Sequence, residues 1–523
     1  MPMIQACSTV TRLLLWTGLI TSALLCRPPL PIDETRYLSV AWEMWQNNQF
    51  LVPHINGTPY SHKPPLLFWL IHAGWWVFGV NEWSARLTAP FFGLISLVLT
   101  GRLAAALWPE SPAVGKLSPL ILLSMGAWSV FSTLTMFDTL ITCLSLTVFL
   151  LLLHHARTPR RWSWPLTGLV LGLGLLAKGP VILVYAVPPA LLAPLWIFPP
   201  YPKWLRWYGG LLSAVLIGVL VALSWAIPAA GAGGEEYGKA ILFSQTSGRL
   251  VQSFAHQRPF YWYALLLPAI MFPWSLCLPL WRSWKIRVDL PMSFCLAALV
   301  PAFIVLSLIS GKQIHYLLPL LPVVAIILGR IVADNPKWLS RVAWLAASAF
   351  IILACLLLVL PALPLLGREG VILQHLPGLT ATIPLAIGCV LILSNRVWPH
   401  RILQVIASCF LCFLISMHFA LAKTVNSLYN PGDIISALSR VQREGHRIAV
   451  YPAGMADQFQ FAARLTEPVV SMESIQGLRD WEGNNQTGYC LVFADRKTLH
   501  AFRPKRALTP YRDKWLLFSR TAN

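Results

Sequence analysis

The chain reads as a polytopic α-helical membrane protein of about thirteen transmembrane helices, followed by a small C-terminal α/β domain outside the membrane. Three observations predict this. Only 11% of the residues are charged and 56% are hydrophobic, with a mean hydropathy of +0.63, whereas a soluble globular chain carries about 25% charged residues. The apolar residues fall in nearly unbroken runs, among them 117–135, 292–310 and 342–360, of the roughly 18–22 residues a helix needs to cross a hydrocarbon core. After the last run, near 402–421, the composition changes: residues 423–523 hold nine acidic and fourteen basic residues and the short β-like runs 447–451, 489–493 and 515–518. The predicted organisation is a transmembrane domain over 1–422 and a small domain over 423–523.

The run 13–25 resembles the core of a signal peptide, but Leu25 is too bulky for normal cleavage before Cys26, so an uncleaved first helix is expected. A long first outer loop follows, over 27–83, with an amphipathic segment near 35–46. Residues 65–80 are apolar yet short, carry His72, and are rich in Phe68, Trp69, Trp75, Trp76 and Phe78. Aromatic rings concentrate at membrane interfaces, so this segment is expected to lie along the surface rather than to cross. Counting it as a surface helix, with the N-terminus inside, puts Lys116, Arg157, Arg160, Arg161, Lys203, Arg206, Arg282, Lys285, Arg287, Lys337, Arg341, Arg396 and Arg401 in cytoplasmic loops. Counting it as a span reverses this positive-inside bias. A second sizeable outer loop is expected over 230–259, and Asp138 falls on the same outer side.

The net charge of +20 is distributed among these short loops rather than gathered in one soluble patch. It points to anionic lipid or phosphate, and away from nucleic acid. Most of the ten cysteines lie within apolar runs, with no paired CxxC spacing, so neither a disulfide framework nor a zinc cluster is expected. The Asn56-Gly57-Thr58 and Asn485-Gln486-Thr487 sequons read as turns and loops.

Charge close to a membrane is costly, so the charged residues on the outer side call for an explanation. The first outer loop carries Asp33-Glu34-Thr35-Arg36-Tyr37 and then Tyr60-Ser61-His62-Lys63-Pro64-Pro65. Sugar transfer from a lipid phosphate needs a carboxylate to take a proton from an acceptor hydroxyl and cations to hold the phosphate leaving group. The plainer reading makes Asp33 a helix cap and Glu34 a complement to the helix dipole. Only seven acidic residues lie between Trp83 and Leu421, and Asp138 alone of these sits amid apolar sequence. Lys178-Gly179-Pro180 ends one span on the outer side and Gly311-Lys312-Gln313-Ile314-His315-Tyr316 ends another. One such residue could snorkel to the interface; several on one side predict a polar cavity that opens outward.

The order DETRY, HKPP, FDT, AKGP and GKxxxY resembles that of the bacterial lipid A aminoarabinose transferases and the protein O-mannosyltransferases, in the GT-C class of polyprenyl-phosphate-sugar transferases. The resemblance covers about residues 33–322; beyond it only the hydropathy and an extracytoplasmic C-terminal domain correspond. It implies thirteen spans, a bacterial inner-membrane location and a periplasmic active site. It also implies transfer of a sugar from an undecaprenyl phosphate donor to an envelope acceptor such as lipid A, another glycan or a protein. Asp33 would be the catalytic carboxylate and Asp138 the second acidic residue of the cavity. Arg36, Tyr37, Tyr60, Lys63, Lys178, Arg249, Lys312 and Tyr316 would contact the donor phosphate or line its pocket. His62 stands where the aminoarabinose transferases carry a metal-binding Glu. It could take a divalent ion (zinc, magnesium or manganese), with His54, His256 or His315 as partners, or only hydrogen-bond the phosphate or acceptor. The alternative from another class is a polytopic transporter of a lipid-linked or anionic substrate, which predicts functional charges near the midplane of two repeats.

Overall fold

The computed structural model describes residues 8–244, 257–281, 288–359, 378–503 and 507–521. The chain divides into two units. The first comprises Met1–Ala23, His62–Leu67 and Arg86–Ala420; the second comprises Leu24–Ser61, Phe68–Ala85 and Leu421–Asn523.

Eight helices among the described residues are long and apolar enough to cross a membrane: Thr9–Cys26, Glu82–Leu107, Asp138–Arg157, Trp204–Gly233, Leu290–Leu308, the Ile314–Asp334 run, Lys337–Val359 and Pro399–Tyr429. Four shorter apolar helices accompany them: Leu66–Phe78, Pro112–Leu123, Ser163–Lys178 and Thr382–Val397. The protein is a multi-pass membrane protein. The apolar run 117–135, read from sequence as one span, is two helices, Pro112–Leu123 and Gly126–Phe131. At the break the Gly126 N–H donates to the Phe272 carbonyl at 2.8 Å. A Cβ on Gly126 would lie 2.8 Å from the Ala269 carbonyl oxygen, so only glycine lets the two segments approach this closely. Helix Leu290–Leu308 is capped by Asp289, whose Oδ1 accepts the Met292 N–H at 2.8 Å and whose Oδ2 accepts the Trp108 Nε1–H at 2.8 Å.

In the second unit, helix Asp33–Gln46 follows Pro28, Pro29 and Pro31, which keep the chain before it from entering helix early. Tyr37, Val40, Ala41 and Met44 form its buried stripe at helical spacing. A two-residue hairpin follows, β1 (His54–Ile55) and β2 (Thr58–Pro59). Its turn residues Asn56 and Gly57 both have positive φ (51° and 77°), the conformation that favours this pair in tight hairpins.

Residues 432–520 build a five-stranded sheet from β3 (Ile448–Tyr451), β4 (Val470–Ser471), β5 (Tyr489–Ala494), β6 (Thr509–Tyr511) and β7 (Lys514–Arg520), in the order β4-β3-β5-β7-β6. β3 runs parallel to β4 and β5, and β7 runs antiparallel to β5 and β6. Side chains alternate across the sheet. Ile448, Val450, Leu491, Phe493 and Leu516 face helix Gly432–Arg443 through Ile434, Leu438 and Val441. Ala449, Cys490, Val492 and Leu517 face helices Ile475–Asn484 and Arg496–Phe502 through Leu478 and Leu499.

Candidate active site

The residues singled out from sequence fall in both units. In the second unit, helix Asp33–Gln46 starts at Asp33 itself, which makes no capping hydrogen bond. Its Oδ1 instead accepts the Tyr37 hydroxyl at 3.2 Å, one turn on. Glu34 is buried, ion-paired to Arg27, and accepts the Leu30 N–H at 3.0 Å. It is thus a structural anchor that holds the proline-rich approach against the first turn. Arg36 donates through Nε to Asp457 Oδ2 at 2.5 Å. Burial opposes the Arg36 charge, but Asp457, followed by Tyr60 and Asp33, more than offsets it and holds the guanidinium proton above its ordinary affinity. The Tyr37 and Tyr60 ring centres lie 6.4 and 6.3 Å from that of Phe68, so both rings pack against the same aromatic side chain.

In the first unit, Asp138 opens helix Asp138–Arg157 and is buried. Its Oδ1 accepts Lys178 Nζ at 2.6 Å and its Oδ2 lies 4.0 Å from His315 Nε2. Lys178 closes helix Ser163–Lys178, where Gly179 turns the chain out with φ 71°. Its ammonium also lies 4.8 Å from the centre of the Tyr316 ring, a cation–π distance. The Tyr185 hydroxyl donates to the Tyr316 carbonyl at 2.8 Å and fixes that segment from behind. Lys63 Nζ stands 5.9 Å over the Phe137 ring, beside Asp138 in sequence. Three helix ends and the loop segment 62–67 therefore bring Lys63, Asp138, Lys178, His315 and Tyr316 into one neighbourhood. Lys312 is held differently. Its ammonium donates to the carbonyls of Ile309 and Arg258, the latter at 3.0 Å, and satisfies backbone left open where helix Leu290–Leu308 ends. Arg249 and His256 lie outside the described residues.

No group of three or more His, Cys, Asp or Glu side chains among the described residues is placed to hold a metal ion. His54 Nδ1 is 2.8 Å from the Val52 carbonyl, and His315 faces the Asp138–Lys178 pair. Two residues of the site neighbourhood were not read from sequence, Asp457 and Gln458. They sit more than 400 positions from their partners and carry no local motif.

Residues 62–227 match the family model described as dolichyl-phosphate-mannose-protein mannosyltransferase. The undecaprenyl phosphate-α-4-amino-4-deoxy-L-arabinose arabinosyl transferase 1 of Pseudomonas fluorescens is 31% identical over 59% of this chain and 54% of its own length. The corresponding protein of Pseudomonas aeruginosa PAO1 is 30% identical over 68% of this chain and 65% of its own. The chain thus matches between half and two thirds of the length of these curated relatives. In three dimensions it superposes on ArnT from Cupriavidus metallidurans, crystallised with undecaprenyl phosphate, with a TM-score of 0.77 over 97% of this chain and 96% of that one, at 18% identity. In sequence and in fold it resembles the bacterial aminoarabinose transferases. The GT-C fold expected from the motifs is the fold of this chain.

Proposed function

We propose that the protein is a glycosyltransferase that moves a sugar from a polyprenyl phosphate, undecaprenyl phosphate in a bacterium, to a hydroxyl-bearing acceptor of the cell envelope. The observation that carries this reading is carboxylates set beside cations, Asp33 with Arg36 nearby and Asp138 with Lys178, in a chain with this fold. The relatives' names add a lipid-linked aminoarabinose as donor for those proteins. The departure at His62 leaves the sugar to be found by assay.

In the proposed reaction the acceptor oxygen attacks the anomeric carbon, and the bond from that carbon to the phosphate oxygen breaks. Polyprenyl phosphate leaves with the bonding electrons, and the acceptor proton passes to the Asp33 carboxylate. Arg36 stabilises charge building on the leaving phosphate. A single displacement inverts the anomeric configuration. The charge bias of the loops supports the periplasmic face of the inner membrane as the side of this chemistry.

The test is transfer by the purified full chain in lipid, from a panel of polyprenyl-phosphate sugars to envelope lipid extract, with Asp33→Asn alongside. One donor should give product, and Asp33→Asn should lower the rate by about 10²–10⁴-fold, the range for loss of a general base. Undiminished transfer by folded Asp33→Asn would remove Asp33 from that role. Absence of product from every donor and acceptor would sink the reading itself.

A further inference from the structure

The ion pair between Arg36 and Asp457 belongs to no motif read from sequence, and its surroundings are built to hold it still. Asp457 Oδ2 takes the Arg36 Nε–H at 2.5 Å, while Asp457 Oδ1 accepts the Gln458 amide N–H at 2.7 Å. The other end of that amide, Gln458 Oε1, accepts the Thr35 hydroxyl at 2.8 Å. Gln458 is 1% exposed, so its amide has one orientation open to it, and a closed run Thr35–Gln458–Asp457–Arg36 ties two neighbouring residues of one helix turn to two neighbouring residues of a distant loop. The loop itself is seated in the same unit. Phe461 stacks on Trp75 with ring centres 5.5 Å apart, the Trp42 Nε1–H donates to the Leu465 carbonyl at 2.8 Å, and Arg464 lies over the Trp42 ring.

The geometry of the pair matters more than its charge. A guanidinium offers five N–H groups in a rigid fork, and the two terminal nitrogens together match two oxygens of a phosphate. Asp457 engages Nε. Among the described residues no hydrogen bond takes up the terminal nitrogens, so the carboxylate fixes the plane of the fork without occupying its prongs. An unheld arginine side chain would lose rotamer entropy to reach the same pose.

We propose that Asp457 is a positioning residue for the transfer reaction, orienting the Arg36 fork toward the phosphate of the lipid-linked donor. This rests on the glycosyltransferase reading above and places one requirement of the reaction in the C-terminal domain. The experiment uses the full chain with a donor for which wild-type transfer has been established, so that failure of that reading has already been decided. Asp457→Ala should raise the KM for the donor by about ten-fold while kcat changes less than about three-fold, the pattern of lost binding rather than lost chemistry. Asp457→Asn, which keeps an oxygen for Nε, should fall between wild type and alanine, and Asp457→Glu should recover part of the loss. The double variant Arg36→Ala/Asp457→Ala should be no worse than Arg36→Ala alone, because residues acting through one group do not add. Unchanged or lowered KM in Asp457→Ala, with an unfolding midpoint near wild type, would overturn the proposal. So would additive losses in the double variant. A kcat loss matched by a lowered midpoint in the alanine and asparagine variants alike would show a purely structural residue and would also overturn it.

Discussion

Asp138 and Lys178 meet with their side chains 3% and 11% exposed, at the ends of two helices in a chain where charge is scarce. Neither charge could stay there alone, because a buried ion without its partner carries a desolvation penalty of several kcal/mol. The pair is neutral as a whole, and His315 stands 4.0 Å away as a third polar group. Stability and activity should therefore separate on mutation. Asp138→Ala or Lys178→Met alone should destabilise the first unit by about 3–5 kcal/mol. The double variant Asp138→Asn/Lys178→Met, which buries no net charge, should recover most of that loss. Thermal unfolding of the purified protein in detergent measures the first effect. If the pair serves donor binding, transfer by the double variant should stay low although its midpoint returns. Equal destabilisation by the double and single variants would show that the charges do not depend on each other.

Between elements, the contact of helix Ser163–Lys178 with helix Trp204–Gly233 shows what the apolar runs conceal. Gly168 and Gly172 are one turn apart on the first helix and meet Gly218 on the second. A Cβ on Gly172 would lie 2.5 Å from Val221 Cβ, and one on Gly168 would lie 2.7 Å from the Ala214 carbonyl oxygen. In lipid, where no hydrophobic force draws helices together, this close approach is what makes packing favourable. Gly172→Val should force the helices apart and cost about 1–3 kcal/mol, the usual cost of overpacking, read as a lower unfolding midpoint. Gly231→Ala, where added Cβ meets nothing within 4 Å, is the control and should leave the midpoint near wild type. The extents of helices such as Asp33–Gln46 and Leu66–Phe78 were legible because amphipathic spacing and aromatic content are local signals. Asp138 was legible because one carboxylate in an apolar run is conspicuous. The break at Gly126 was not, since it depends on carbonyl groups about 145 positions later that approach only in the folded chain. The same holds for the carbonyls that engage Lys312 and for Asp457, whose meaning comes from Arg36.

For the molecule as a whole, the composition of the second unit constrains how the chain threads the membrane. Residues of the first loop and of the C-terminal domain fold together: Arg36 pairs with Asp457, and the Asn56 side-chain amide both donates to the Val469 carbonyl at 2.9 Å and accepts its N–H at 2.8 Å. Segments that share a folded unit must emerge on the same side of the bilayer, so an even number of crossings separates residue 61 from residue 421. Thirteen spans, the first of them before the loop, satisfy this parity; fourteen, with Leu66–Phe78 counted as one, do not. The loop charges predict which side it is. In cells with a permeabilised outer membrane, a membrane-impermeant maleimide should label Gln49→Cys and Gln476→Cys above the wild-type background. Lys203→Cys and Lys337→Cys, on loops of the opposite parity, should react only after lysis. All four positions are exposed, so a missing signal reports sidedness rather than burial. Labelling of Gln49→Cys without Gln476→Cys would break the parity argument. Labelling of the two lysine positions alone would invert the orientation and move the proposed transfer to the cytoplasmic face.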